Sequence, residues 1–451
     1  RQALVGRLPR SDRLTRLSRR RVANSAALIA DYLRTTTGVT QVIIGVPKEI
    51  CPGEQRVAIT PANVSALLKK QGVEIIIERG AGDIAGYPDS TFEAAGAKLV
   101  DRDEIFTSAQ VVLQVQTPGS NTQNGNEDLE KFKQGQIVIG MTDPLANPQF
   151  AQTLADKKVT GLALELVPRI TRAQAMDVLS SMAMIAGYKC VLLAANESQR
   201  MFPMNMTAAG TMNASRVFVM GAGVAGLQAC ATAKRLGAVV EAYDVRPAAR
   251  EQILSVGAKP VELDLDTGEA EGSGGYAKAQ GEDFLKRQRE LMTEVIKEMD
   301  VVITTAAVPG AKSPILVTED MVKAMKPGSI IVDLAAERGG NCDLTESGKT
   351  VVKHGVTIVG PENVPSSVAF HASQMFGKNM ENLLNLLLDD NGDLQLDFED
   401  EIVAETVVSH NGDVPQARLR DLLGLPALAK PEPEADESAD ADSDATKEEE
   451  K

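Results

Sequence analysis

Residues 217–244 read VFVMGAGVAGLQACATAKRLGAVVEAYD, and the spacing within them carries the first chemistry in the chain. An apolar, β-type run ending at Met220 meets G-x-G-x-x-G, formed by Gly221, Gly223 and Gly226. A helix-compatible stretch follows, and then a second apolar run closed by Asp244. Gly221 permits a sharp strand-to-helix turn, Gly223 lets backbone N–H groups approach a pyrophosphate, and Gly226 allows close helix–strand packing. The helix N-terminus adds partial positive charge and unpaired donors. Asp244 lies about 20 residues on, where a carboxylate accepts from an adenosine ribose and repels a 2′-phosphate. The pattern predicts a dinucleotide site that prefers NAD to NADP. Arg246 is the opposing signal, since a nearby arginine accommodates a 2′-phosphate.

Such a turn needs a parallel sheet behind it. Short β-rich runs alternate with helix-length segments along the chain, which implies α/β architecture with crossover helices. Strands are expected near 42–46, 73–77, 111–115, 136–140 and 160–165, then near 217–220, 238–243, 259–263, 301–304, 329–334 and 356–360. The fold class is therefore two doubly wound, Rossmann-like domains with parallel sheets, joined by long helices around a cleft. The expected division is 42–177 with 367–425 as a discontinuous first domain, and 178–366 as the nucleotide-binding domain. Residues 178–200 read as a long connecting helix, and AFHASQMFGKNMENLLNLLL, after residue 366, as a helix returning to the first domain. Ligands of such folds lie at strand carboxyl ends, so the interdomain cleft is the expected site. Residues 266–282 (DTGEAEGSGGYAKAQGE) carry five glycines and the aromatic Tyr276. A polar, glycine-rich loop of this length reads as a lid over nucleotide, anchored by Tyr276, or else as a surface insertion.

Composition narrows the partners. The chain has 451 residues and a formal charge of −15, which argues against nucleic acid. From Pro431 to Lys451 ten Asp/Glu face two Lys, so 426–451 is expected to be a disordered acidic tail. Residues 1–41 form a basic extension with eight Arg before residue 22, read as a leader or an upstream extension. Cys51, Cys190, Cys230 and Cys342 show no disulfide-like or metal-ligand spacing, which fits a reducing compartment and no metal. No apolar run is expected to reach the roughly 18–20 residues of a membrane helix.

The segment VPRITRAQAMDVLSS (167–181), with GVPKEICPGEQRVAITP (45–61), TTAAVPG (304–310) and VKHGVTIVGPENVPS (352–366), closely resembles one family. It is similar to the NAD(H)-binding component of proton-translocating NAD(P) transhydrogenase, within a superfamily that includes alanine dehydrogenase. The resemblance covers about residues 42 to 420. It implies that Arg169, Gln174 and Asp177 lie beside the nicotinamide and, with Tyr276, form the catalytic set. Val224, Val245, Arg246, Gly275, Ala306, Ala307 and Asn363 complete the expected cofactor contacts with Gly221, Gly223, Gly226, Asp244 and the loop residues. Read as chemistry, Asp177 is equally a helix N-cap and Arg169 equally a surface ion-pair partner.

The same comparison separates two enzyme classes. An amino-acid dehydrogenase moves protons as well as a hydride and needs an acid/base group. Alanine dehydrogenases place a lysine, a histidine and an arginine matching Arg56 in the first domain. Here Gln116 stands at the lysine position, and no histidine precedes His354. The resemblance implies direct hydride transfer between NADH and NADP⁺ on a partner, coupled to proton movement by a membrane subunit. The expected partners are that membrane subunit and an NADP-binding beta subunit, as in bacterial enzymes with split chains. The expected location is peripheral, on the cytoplasmic face of the inner membrane. A homodimer is also expected, on the ground that the apolar stretch around Leu383–Leu388 exceeds what one domain covers. An alanine-type dehydrogenase and an NAD-sensing scaffold are the alternatives.

Overall fold

A computed structural model describes residues 42–263, 282–307 and 310–427, with the side chains of the 282–296 helix described from residue 286. The first sheet contains β1 (Val42–Val46), β2 (Val73–Glu78), β3 (Lys98–Val100), β4 (Val111–Gln116), β5 (Ile137–Met141) and β6 (Thr160–Ala163). An exposed hairpin follows, made of β7 (Asn205–Thr207) and β8 (Gly210–Met212). The second sheet contains β9 (Arg216–Met220), β10 (Val239–Tyr243), β11 (Lys259–Pro260), β12 (Val301–Thr304), β13 (Ile330–Asp333), β14 (Lys349–Lys353) and β15 (Val356–Gly360). A last strand, β16 (Val407–Ser409), joins the first sheet. The orders are β16-β6-β5-β4-β1-β2-β3 and β11-β10-β9-β12-β13-β15-β14. All pairs within these two sheets are parallel except β16 with β6 and β14 with β15.

Both sheets are doubly wound. The chain starts in the middle, at β1 or β9, runs to one edge and then crosses to the other side. The strand-order reversal therefore lies between β1 and β4 in one sheet and between β9 and β12 in the other, which is where such folds open a crevice. The expected strands are present. The 259–263 run pairs over only two residues, and β3, β14, β16 and the hairpin were not expected. Each added strand is short or lies at an edge, where weak alternation gives little sequence signal.

Three helices organise the rest. Helix α1 (Val178–Glu197) begins at Asp177, whose carboxylate accepts from Ser180 N at 2.9 Å. Its buried residues divide between two cores: Val178, Met182 and Ile185 pack with the first sheet, and Cys190, Val191 and Ala194 with the second. The expectation about membrane-length apolar segments needs correction, because α1 is long and apolar enough to span one. That apolar character serves two protein cores at once. Helix α2 (Val224–Arg235) follows the glycine turn. Helix α3 (Ala369–Leu387) packs into the first core through Phe376, Met380, Leu383, Leu384 and Leu387. Leu388 is also buried. The Leu383–Leu388 stretch is thus covered within the chain and gives no ground for a dimer.

A buried ion pair fastens the β1-side loop to α3. Arg56 donates from Nε to Glu54 Oε1 at 2.7 Å and from Nη2 to Glu54 Oε2 at 2.6 Å. The side chains are 2% and 0% exposed, and the guanidinium lies 5.9 Å from the Phe376 ring centroid. Burial opposes ionisation of Glu54, yet the hydrogen bonds and charge of Arg56 outweigh it and hold the pKa down to about 2. The pair's stability contribution is therefore present above pH ~4.5 and is lost as pH falls towards 2. Removing one partner strands a buried charge. We predict that Arg56→Met costs on the order of 3–5 kcal/mol in urea unfolding at pH 7, and that adding Glu54→Gln recovers some of the loss. Equal stability of wild type and Arg56→Met would refute this.

Candidate nucleotide site in the interlobe cleft

The turn after β9 meets the stereochemical demands of its sequence. Gly221 has φ 99°, a region that favours glycine. A Cβ at Gly226 would lie 1.8 Å from Gly221 O, so helix and turn are in backbone contact. A Cβ at Gly223 would meet nothing within 4 Å. Two glycines are thus required by the protein's own packing, while the third faces open space at the N-terminus of the 12-residue α2. The first-turn N–H groups of a helix are unpaired there and carry partial positive charge. Val224, at the first helical position, is 43% exposed. An anion such as a pyrophosphate fits this arrangement.

Asp244 stands at the end of β10, yet it is already occupied. Its Oδ2 accepts from Ala222 N at 2.7 Å and from Arg246 Nη2 at 2.9 Å. Its Oδ1 accepts from Arg246 N and Nε, both at 2.9 Å. Four donors match the roughly four lone-pair sites of a carboxylate. Ribose hydroxyls therefore reach Asp244 only where Arg246 gives way. Val245, next to it, is half-buried against the second core.

The other expected contacts are dispersed. Arg169 and Gln174 are exposed on the loop that leads to α1. Asp177 caps that helix, accepting from Ser180 Oγ at 2.6 Å as well as from its N–H. The loop is pinned from behind: Asn379 Nδ2 and Asn382 Nδ2 donate to Ala175 O at 2.8 and 2.9 Å, and Arg172 pairs with Asp400 at 2.7 Å. Asp177 is ten residues before Gly187, where α1 touches α2, so about 15 Å of helix separates the loop from the glycine turn. Ala306 and Ala307 follow β12, with Ala306 half-buried and Ala307 exposed. Gly275 and Tyr276 lie outside the described residues.

Asn363 is committed to the protein. It has φ 41°, donates from Nδ2 to Glu54 Oε2 at 2.9 Å, and accepts at Oδ1 from Arg56 Nη2 at 3.2 Å. Its N–H donates to Glu337 Oε1 at 3.0 Å. Asn363 therefore ties the end of the second sheet to the Glu54–Arg56 pair of the first. Beside it is a cavity of about 540 Å³ whose walls include Cys51, Gln116 and Ser120 from one side and Glu337, Glu362 and Asn363 from the other. This cavity lies towards β15, away from Gly221–Gly226. None of the three histidines lines it: His354 pairs with Glu319, His371 meets Phe370 edge-on, and His410 bonds Thr160 and Asn411. Among the described residues no His/Cys/Asp/Glu cluster could hold a metal.

One group was missed in the sequence because burial, which no motif encodes, makes it unusual. Glu165 Oε1 accepts from Thr142 N and Asp143 N, both at 2.8 Å, while its Oε2 is buried with no hydrogen-bond partner. Burial pushes its pKa up to about 7. Asp143, at φ 52°, reaches across the cleft to Arg338 Nη2 at 2.6 Å. Glu165 thus fixes the turn that carries an interlobe ion pair.

Two sequence profiles match the chain: the N-terminal domain of alanine dehydrogenase/PNT over residues 45–186 and its C-terminal domain over residues 190–417. The chain belongs to the alanine dehydrogenase/PNT family. Within that family, the first segment of NAD(P) transhydrogenase subunit alpha from Rhodospirillum rubrum is 48% identical over 82% of this chain and 97% of its own length. An alanine dehydrogenase of Methanococcus maripaludis is 32% identical over 72% of this chain and 82% of its own length. The crystal structure of transhydrogenase from Sinorhizobium meliloti superposes with a TM-score of 0.74 at 44% identity, covering 82% of this chain and 99% of that one. The alanine dehydrogenase/PNT fold accounts for both doubly wound sheets.

The raised pKa of Glu165 has a definite sign. Between pH ~4.5 and ~7 the folded chain keeps a proton that the unfolded chain has released, so stability falls as pH rises through that window. Glu165→Gln keeps a carbonyl acceptor for Thr142 and Asp143 but does not ionise. We predict that thermal unfolding of this variant falls less between pH 5 and 8 than that of wild type, and that the variant is the more stable at pH 8. Parallel pH profiles would contradict the assignment.

Proposed function

We propose that this chain is the NAD(H)-binding subunit of a proton-translocating NAD(P) transhydrogenase. NAD(H) is held with its pyrophosphate over Gly221–Gly226 and its adenosine ribose at Asp244, with Arg246 displaced towards the phosphates. Arg169 and Gln174, exposed on a loop braced by α3, face the nicotinamide, and Asp177 keeps that loop in register with α1. In this reading residues 42–177 and 367–425 form one lobe and 178–366 the other, so the cofactor bridges them. Bound nicotinamide supplies the hydride, and the residues of this chain orient the ring and limit water.

The observation that carries the reading is the makeup of the cleft wall. Position 116 is Gln, and each histidine of the chain is engaged elsewhere. Transfer between two nicotinamides needs positioning and no proton-transfer residue, whereas imine chemistry needs one. Relatives whose names mark them as one segment of a divided alpha subunit support a hydride acceptor, NADP⁺, held on a beta subunit, and a separate membrane subunit that couples the step to proton movement. The subunit would then sit on the cytoplasmic face of the bacterial inner membrane without entering it.

A homodimer has a different basis from the one expected. Residues 203–213, which include the β7–β8 hairpin, are exposed throughout, with Met204 at 62%, Met206 at 73% and Met212 at 43%. An isolated two-stranded hairpin is marginal in water and gains stability from a covering surface. A second copy of the chain is the proposed cover.

Three outcomes are expected. Fluorescence titration gives NADH an affinity at least ~10-fold above NADPH, and Asp244→Ala narrows that gap. Equal wild-type affinities would overturn the cofactor assignment. The purified chain exchanges no hydride between NAD(H) and NADP(H) analogues alone and does so once the NADP-binding partner domain is added. Turnover of NADH with pyruvate and ammonia would instead favour the alanine-type dehydrogenase. In sedimentation equilibrium Met206→Asp with Met212→Asp gives a monomer where wild type gives a dimer, and an unchanged dimer would remove the hairpin from the interface.

A further inference from the structure

We propose that Asn341 is a positioning residue for the dinucleotide, acting by locking the segment Thr305–Ala307 into a fixed floor beside the glycine turn. The inference rests on the proposed nucleotide site and adds to it a residue that no contact with the cofactor would reveal.

The segment leaves β12 at the strand-order reversal, where a ligand lies against strand ends. It runs directly against the turn: Thr305 Oγ1 donates to Gly221 O at 3.0 Å, and a Cβ at Gly221 would lie 2.7 Å from that hydroxyl and 3.4 Å from Ala306 N. Any shift of 305–307 therefore moves the wall of the nucleotide turn. Two or three loop residues with free backbone groups would not hold such a position by themselves.

Asn341 supplies the constraint. It is 0% exposed. Its Oδ1 accepts from Ala306 N at 3.0 Å, while its Nδ2 donates to Ala306 O and Pro314 O, both at 2.8 Å. One amide thus engages both backbone groups of Ala306 and ties them to a second loop. Asn341 is itself fixed, because its N–H donates to Asp333 Oδ2 at 2.8 Å and its carbonyl accepts from Leu316 N and Val317 N at 2.8 and 2.9 Å. Asp333, also 0% exposed, accepts further bonds from Thr304 Oγ1, Ala335 N, Cys342 N and Thr345 Oγ1. The carboxylate at the end of β13 therefore sets Asn341, and Asn341 sets Ala306.

The chemistry this leaves towards the cleft is specific. With its N–H already donating to Asn341, Ala306 offers the nucleotide its methyl group and no hydrogen-bond donor. The floor is apolar and rigid, suited to the flat face of a sugar or a ring. The polar groups of the dinucleotide are left to the α2 N-terminus and Asp244. A primary amide is needed for this, since only it donates to Ala306 O while accepting from Ala306 N.

The test compares two substitutions in the same hydrogen-bond network, in the full-length chain. Asn341→Ala frees Ala306, whereas Thr345→Val removes a donor to Asp333 and leaves the Ala306 contacts in place. Expected are a loss of NADH affinity of at least ~10-fold for Asn341→Ala by fluorescence titration, wild-type affinity for Thr345→Val, and faster amide hydrogen exchange at 305–307 in the first variant only. Asn341→Asp, which keeps the acceptor and loses the donors, serves where Asn341→Ala does not fold, with the same direction expected. Wild-type affinity with unchanged exchange at 305–307 in the Asn341 variants overturns the inference. So does a loss of affinity in both loop variants that follows their loss of melting temperature. Failure of wild type to bind NADH would sink the nucleotide reading instead, and the exchange rates would still decide whether Asn341 holds the segment.

Discussion

The close approach of α1 to α2 is the constraint on which the remaining geometry depends. A Cβ at Gly187 would lie 2.1 Å from Ala225 O, so the two helices meet backbone to backbone at that point. Because α1 contributes buried residues to both cores, this contact fixes one sheet relative to the other. The N-terminal end of α1 carries the 169–177 loop, and α2 begins with the glycine turn. A single rigid rod therefore sets the distance between the two candidate ends of the dinucleotide site. Protein interiors are close-packed and transmit displacement rather than absorb it, so even one added methyl at residue 187 would be felt at both ends.

The electrostatics of the cleft follow a common scheme in which carboxylates organise backbone. Asp244 holds the N–H of Ala222, Asp333 those of Ala335, Asn341 and Cys342, and Glu165 those of Thr142 and Asp143. Each lies at or just beyond the carboxyl end of a strand, where the sheet ladder stops and backbone donors need new acceptors. Arg56, Arg246 and Arg338 then compensate some of this charge, the first two within a lobe and the last across the cleft. The cleft is built from fixed dipoles and paired ions, so little reorganisation is needed when a charged ligand arrives.

Much of this was legible in the sequence where one residue type answers to one demand. Gly221 and Gly226 announced the turn because no other residue fits there, and the apolar runs of β1, β4, β9 and β12 announced parallel strands because both of their faces are covered. Asp177 could be read as a cap or as a cleft group, and its contacts here are those of a cap. What escaped depends on partners distant in sequence. Asn341 and Asp333 are ordinary polar residues until Ala306 and Thr304 are brought beside them, and Glu165 acquires its character only from burial. The Leu383–Leu388 stretch looked like surplus apolar surface because its cover, the β1–β6 sheet, precedes it by more than 200 residues.

The antiparallel strands at the sheet edges have a consequence for how copies of the chain associate. The edge strand β14 begins and ends with lysines, Lys349 and Lys353, and the Lys349 side chain is 67% exposed. Charged, antiparallel edges resist the addition of further strands, and β16 closes the opposite sheet with a strand of only three residues. Indefinite, fibre-like growth through the sheets is thereby discouraged. The apolar hairpin is a single patch, and a patch that pairs with its own copy around a two-fold axis is used up in the act. The distribution of lysine and methionine on this surface selects closed assembly over open polymerisation.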